Sequence, residues 1–312
     1  MRLKSVGARS TCRSPLDAAA LPGIVPEAML RCLAFSTVLS LAFSAALHAR
    51  TPLPGHAELR WISASRSCPP GGSVDTAVRM TIDPGWHTYW LHPGEAGLPV
   101  EFSWTLPDGW SAEPVGHPVP ERFVSAGLTG FGYSGVVCFP VRLTAPRGFT
   151  GEARLEANVT WLACSDAGCV PGERLLPLVL TAGEPSATPE AAQIDAARRT
   201  IPSPAKGVAL EVVMEGEDAL RLTLTTADPA LDPAGAAVFS LTPKLIDPST
   251  EIRFSGKDGR WSARVPLCDY FAPPLRECTL VIAGRPRPWQ VGWQAPPPPE
   301  KSNSTNGASS AK

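Results

Sequence analysis

The sequence predicts an all-β protein, an antiparallel β-sandwich followed by a second, smaller β domain. Three observations carry this. The 312 residues hold 35 prolines and 27 glycines, which break the chain too often for long helices. Short runs alternate apolar and polar residues: in "RLEANVTWLAC" Leu155, Ala157, Val159 and Trp161 fall on one face and Glu156, Asn158 and Thr160 on the other, the period of a half-buried strand. Turn signals separate such runs at the spacing of a sandwich.

The N-terminus sets the compartment. Leu30-Arg31 leads into an apolar run from Cys32 to Leu47, closed by Leu47-His48-Ala49. A charged start, an apolar centre and a small-residue end form a secretory signal. The run is short for a membrane span, although an anchor that stays attached is the alternative. Residues 1–28 resemble no targeting signal, so Met29 is expected to be the true start and 1–49 to be removed, with Cys12 and Cys32. The mature chain is expected to be soluble in the periplasm.

Residues 50–183 read as strands and turns: "VDTAVRMTID", "LPVEFSWTLPDGW" ending in a Pro-Asp-Gly turn, "GVVCFPVRLTAP", "RLEANVTWLAC" and "ERLLPLVLTAG". Residues 184–206 change character, with a helical stretch from Pro189 to Arg199 between Pro/Ser-rich ends, and read as a linker. The strand pattern resumes over 207–295, where Lys257-Asp258-Gly259 marks a hairpin. Residues 296–312 are polar and Pro/Ser-rich, the composition of a disordered tail.

Charge is nearly balanced, with 28 Lys+Arg against 29 Asp+Glu, so no basic patch points to nucleic acid. The chemistry concentrates in Trp161-Leu162-Ala163-Cys164-Ser165-Asp166-Ala167-Gly168-Cys169-Val170-Pro171. Cys164 ends an alternating strand and Cys169 opens the next across a four-residue loop. Facing strand positions lie about 4.5–5.5 Å apart, within reach of a disulfide. Closing a ring of about 6 residues stabilises by only ~2 kcal/mol, whereas a Cys68–Cys138 bridge closing about 71 would contribute ~4 kcal/mol. A bridge that contributes so little can open without unfolding its domain, which a reversible redox pair requires. Asp166 inside the loop would raise a thiol pKa and slow its attack, so the pair suits the disulfide that is attacked.

"PGWHTYWLHPGEAGLPVEFSW", "GFGYSGVVCFPVRLTAP" and "VTWLACSDAGCVPGE" resemble the periplasmic N-terminal domain of DsbD, and more closely its relatives among the ScsB-type suppressors of copper sensitivity. The resemblance implies an immunoglobulin-like fold and a protein-disulfide reductase type of activity. Electrons would pass through Cys164 and Cys169, without a further cofactor, to periplasmic thioredoxin-like proteins. Because the membrane and thioredoxin domains of DsbD find no match here, it also implies a membrane-embedded DsbD- or CcdA-like donor on another chain. The cysteine spacing is one residue shorter than in DsbD. The family shields its cysteine pair with an aromatic cap and keeps a Tyr beside it; the nearest matches are Phe131 and Tyr133, in Gly130-Phe131-Gly132-Tyr133, and Tyr89. Ordinary core packing is the competing reading for all three.

Cys68 with Cys138, and Cys268 with Cys278, are candidates for structural disulfides, with connectivity open. Cys164-x4-Cys169 and His87-x4-His92 also fit the loose grammar of a zinc or copper site, which would make this a periplasmic copper-binding or copper-tolerance protein. No residue is assigned as a metal ligand. A non-catalytic interaction module is the third reading, since the fold alone implies no function.

Overall fold

The computed structural model describes residues 53–297. The expected signal region, 1–49, and residues 298–312 of the expected tail lie outside them.

In the first domain the chain runs through β1 (Leu53–Pro54), β2 (Ala57–Ser63), β3 (Ser67–Cys68), β4 (Ser73–Ile82), β5 (Thr88–Gly94) and β6 (Glu101–Thr105). It continues through β7 (Ser111–Pro114), β8 (Glu121–Ser125), β9 (Leu128–Tyr133), β10 (Val136–Thr144), β11 (Glu152–Ser165) and β12 (Gly168–Ala182). One sheet has the order β1-β12-β11-β6, with β3 added in parallel on β12. The second has the order β2-β4-β10-β7. A small third sheet, β5-β9-β8, contains the β8–β9 hairpin that matters below.

The core lies between the two large sheets because each presents one apolar face. Leu155, Ala157 and Val159 of β11 are fully buried and Trp161 nearly so, against Val78 and Met80 of β4 and Val141 and Leu143 of β10. Removing such side chains from water is the main driving force of folding. A polar group in this core is satisfied: Trp61 Nε1 donates to Thr76 Oγ1 at 3.0 Å, and Thr76 Oγ1 donates to the Val141 carbonyl at 2.9 Å.

The segment between the domains packs on the first. Its helix α1 (Ala191–Arg199) buries Ile194 and Ala197 against Ala77 and Cys138 on the outer face of the β4–β10 pair. Arg198 Nη1 donates to Asp75 Oδ1 at 2.8 Å, and Arg142 Nε donates to the same oxygen at 3.1 Å.

The second domain holds β13 (Ser203–Pro204), β14 (Val208–Glu215), β15 (Ala219–Thr226), β16 (Val238–Ser240), β17 (Ser255–Lys257), β18 (Arg260–Pro266), β19 (Glu277–Ile282) and β20 (Trp289–Gln294). They form the sheets β13-β20-β19-β16 and β14-β15-β18-β17 around Leu220, Leu222, Val265, Leu280 and Ile282. Asp258 and Gly259, both at positive φ, join β17 to β18, as the expected hairpin requires. Among the described residues no sheet draws strands from both domains. Side chains do cross: Phe239 and Val281 belong to the first domain's core cluster, and the Phe239 ring lies 5.5 Å from Phe131 and 6.0 Å from Trp90.

The docking of α1 is testable. Ile194→Ala is expected to cost about 2–5 kcal/mol, as other large-to-small changes at fully buried sites do. It would be read as a lower urea midpoint at unchanged slope. An unshifted midpoint would show that the helix does not stay packed on the sheet.

Candidate functional site

The site is built on the long β11–β12 hairpin, paired without a break from Glu152 opposite Thr181 to Ser165 opposite Gly168. Cys164 and Cys169 face each other in this register, with Cα atoms 4.1 Å apart, and are bonded as a disulfide. The connecting loop is shorter than the sequence reading supposed. Pairing continues past the cysteines, leaving Asp166 and Ala167 alone at the turn. Gly168 takes φ +139°, a conformation that side chains disfavour.

The backbone explains why a disulfide fits here. Cys164 N–H donates to the His87 carbonyl at 2.9 Å, and His87 N–H donates to the Cys164 carbonyl at 2.9 Å. Both backbone groups of Cys164 therefore point away from Cys169. The cysteines form a non-hydrogen-bonded pair, the position at which facing strands approach most closely. Burial then separates them: Cys164 is 1% exposed, while Cys169 lies open at the surface.

A cavity of about 210 Å³ adjoins the disulfide, lined by both cysteines, Tyr89, Phe123, Leu128 and Asp166 among others. Phe123 lies over His87, with ring centroids 3.7 Å apart, and 5.7 Å from Tyr89. It projects from the β8–β9 hairpin, whose turn residues Ala126 and Gly127 both have positive φ. Ser125 Oγ, on the same strand, approaches Asp166 Oδ1 at 3.5 Å. Across the hairpin Phe123 faces Gly130, where a Cβ would overlap the Phe123 ring.

Of the aromatic residues read from the sequence, Tyr89 lines this cavity and Phe131 and Tyr133 do not. Phe131 is buried against Phe239, with the Arg122 guanidinium 5.0 Å from its ring centre. Tyr133 donates its hydroxyl to the Pro118 carbonyl at 2.9 Å and packs on Phe139. The glycines flanking Phe131 sit at close approaches. Gly130 leaves room for Phe123, and a Cβ at Gly132 would overlap the Thr88 carbonyl. Phe123 had no clear signal in the sequence, since "ERFVS" sets Phe123 beside Val124 without alternation before the Ala-Gly turn.

Among the described residues the other four cysteines are not bridged. Cys68 belongs to the main core, whereas Cys138 lies on the far side of its sheet under α1, where Gln193 Nε2 reaches its sulfur at 3.6 Å. Two side chains on opposite sides of a sheet cannot join. Cys268 and Cys278 are also unpaired, and burial pushes the Cys278 thiol up to about 12. Of the two histidines in the metal-like spacing, His87 lies beside Cys164, and His92 packs edge-on against Trp90. No group of three or more potential metal ligands occurs among the described residues.

With this geometry in hand, the comparisons identify the domain. Residues 60–180 match the family described as "Thiol:disulfide interchange protein DsbD, N-terminal". Residues 60–180 are a DsbD-type N-terminal domain. The N-terminal periplasmic domain of ScsB from Proteus mirabilis is similar at 22% identity and a TM-score of 0.58, covering 77% of this chain and 93% of that one. At that identity the likeness shows a shared fold, an immunoglobulin-like sandwich, and its coverage takes in more than the first β domain. The titin Ig tandem domains A164-A165 align at 10% identity over 78% of this chain and 97% of that one, with a TM-score of 0.18 that carries no argument. No curated protein matches the chain. Among the described residues no helix is long and apolar enough to cross a membrane.

The histidines give the fold a pH dependence. Burial lowers the pKa of His87 below its ordinary 6.5, with the Asp166 charge acting in the opposite direction. Burial also lowers His92 and His117. Each binds its proton more weakly folded than unfolded, so acid favours the unfolded chain. The stability these groups contribute is fully present above pH 6.5 and is lost as pH falls through the lowered values. The thermal midpoint is expected to drop between pH 7 and pH 5, and His87→Gln to drop less steeply. An equal slope in the variant would show that His87 is not desolvated.

Proposed function

We propose that this chain is a periplasmic thiol–disulfide exchange module that relays electrons from a membrane-embedded reductase to thioredoxin-like proteins through Cys164 and Cys169. The observation that carries this reading is the asymmetric disulfide at the hairpin tip, one cysteine buried and the other open, beside an aromatic side chain on a separate hairpin. The family match supports it. The cysteine pair is itself the redox group, and the reading requires no further cofactor.

The exposure difference assigns the roles. In loading, a thiolate of the donor attacks Sγ of Cys169 along the S–S axis; Cys164 leaves as a thiolate and takes a proton. The donor's second thiolate then attacks its own sulfur in the mixed disulfide and releases Cys169. Two electrons and two protons have moved, leaving a dithiol here and a disulfide on the donor. In delivery, Cys169 attacks the disulfide of the acceptor and Cys164 resolves the mixed disulfide, leaving the acceptor with two thiols. Attack on Cys164 itself is disfavoured because that residue is 1% exposed. Phe123 and Tyr89 restrict approach to the same sulfurs, and access governs the rate of exchange as strongly as thiolate content does. The bridge closes a ring of about 6 residues, so opening it costs only ~2 kcal/mol of stability, and the core between the sheets is untouched.

Single-cysteine variants separate these roles. Cys164→Ser leaves Cys169 as the exposed thiol and is expected to form a mixed disulfide with a thioredoxin-like protein or a pyridyl disulfide probe. Cys169→Ser leaves only the buried Cys164 and is expected to react at least about tenfold more slowly, which corresponds to ~1.4 kcal/mol of barrier. Equal trapping by the two variants would contradict the assignment, and failure of both to trap would remove the exchange function.

A further inference from the structure

The second β domain has no part in the chemistry above, yet it reaches the hairpin that carries Phe123. Arg122, next to Phe123 on β8, points to the opposite side. Its Nη1 donates to the Pro248 carbonyl at 2.8 Å and to the Ser249 carbonyl at 3.3 Å, and its Nη2 donates to the Thr250 carbonyl at 2.6 Å. Three consecutive carbonyls of the second domain thus enclose one guanidinium of the first. A guanidinium suits this, since its planar fork presents several donors in fixed directions.

The acceptor turn is held in shape by its own bonds. Asp247 Oδ1 accepts from Ser249 N–H and Asp247 Oδ2 from Ser249 Oγ, both at 2.9 Å, and Asp247 N–H donates to the Pro266 carbonyl at 3.2 Å. The carbonyls are therefore aimed before Arg122 arrives. Burial works against the charge, while the carboxylates of Glu251, Asp247 and Glu95 favour it, and the Arg122 guanidinium lies 5.0 Å from the Phe131 ring centre. Phe131 in turn packs on Phe239 of the second domain.

β8 is an edge strand, bonded only to β9. Residues alternate sides along it, so Phe123 faces Gly130 and the disulfide while Arg122 faces Phe131 and the second domain. A movement of β8 that lifts Phe123 also withdraws Arg122 from its carbonyls. We propose that the second β domain acts as a clamp on the cap hairpin, with Arg122 the positioning residue that sets how often Phe123 uncovers the Cys164–Cys169 bridge. The inference rests on the reading of Phe123 as the cover of an exchange-active disulfide. It gives the second domain a function: control of access to a redox pair that it does not touch.

The test measures reduction of the oxidised full-length protein by dithiothreitol, whose two thiols become a cyclic disulfide as the bridge becomes two thiols. Wild type, Arg122→Ala, Phe123→Ala and the double variant are compared. Arg122→Ala is expected to be reduced about fivefold faster than wild type, as a small loss of restraint multiplies the open population. Its equilibrium potential against glutathione should be unchanged, because the clamp alters access and not the two end states. The double variant is expected to be no faster than Phe123→Ala alone, the non-additivity of residues that act through one another. Arg122→Lys, which keeps the charge but loses the fork, is expected to fall between Arg122→Ala and wild type. Asp247→Ala, which loosens the acceptor turn and leaves the cap hairpin intact, is expected to speed reduction as well, and serves if Arg122→Ala does not fold. A fast Phe123→Ala with Arg122→Ala and Asp247→Ala both at the wild-type rate would overturn the clamp and leave the cap standing. A Phe123→Ala at the wild-type rate would overturn the cap and the clamp together.

Discussion

The register between β11 and β12 decides most of what this domain can do. It places Cys164 opposite Cys169 at a position whose backbone groups bond elsewhere, to His87, so the two Cα atoms come within 4.1 Å. A slip by one residue would turn one cysteine to the other face of the sheet and abolish the bridge. The slip is prevented by the burial of Leu155, Ala157, Val159 and Trp161, which would all leave the core together. The hydrophobic effect, acting well away from the sulfurs, thereby holds the redox pair in place. The same bond pair between Cys164 and His87 ties the hairpin tip to the residue preceding β5, whose imidazole lies under Phe123.

Stability and reactivity are kept apart in space. The sandwich core is complete without the bridge, which closes a short ring and stabilises by only ~2 kcal/mol. What surrounds the sulfurs is of a different kind: an exposed cysteine, a two-residue turn and an edge hairpin. Elements with few buried contacts are the ones that open locally, and the proposed cover is drawn from them. The restraint proposed for that cover comes from outside its own sheet, through the carbonyls of residues 248–250.

Much of this was legible in the sequence. The alternation from Leu155 to Trp161 places β11 and its buried face, and the Cys164–Cys169 spacing marks the bridge. The turn length was not legible, because Ser165 and Gly168 carry no apolar pattern and pair only as a continuation of the ladder. The resemblance offers Phe131, Tyr133 and Tyr89 beside the bridge, but Phe131 and Tyr133 lie outside its cavity, and the glycines around Phe131 answer to contacts with Phe123 and the Thr88 carbonyl that only the folded sheet creates. Cys68 and Cys138 likewise belong to different sides of a sheet, which composition does not disclose. The partners of Arg122 lie 126 to 128 residues away in sequence, and no local pattern points from one to the other.

The central claim is that the Cys164–Cys169 bridge is a working redox couple and not a staple, and its reduction potential tests this most directly. Structural disulfides of secreted proteins lie below about −300 mV, whereas exchange-active ones lie higher. Equilibration of the full-length protein against glutathione buffers, with the dithiol and disulfide forms separated after acid quenching, is expected to give a potential above that line, together with reversible exchange with a thioredoxin-like protein. A potential well below about −300 mV, with no exchange, would contradict the account and reduce the bridge to a structural element of the hairpin.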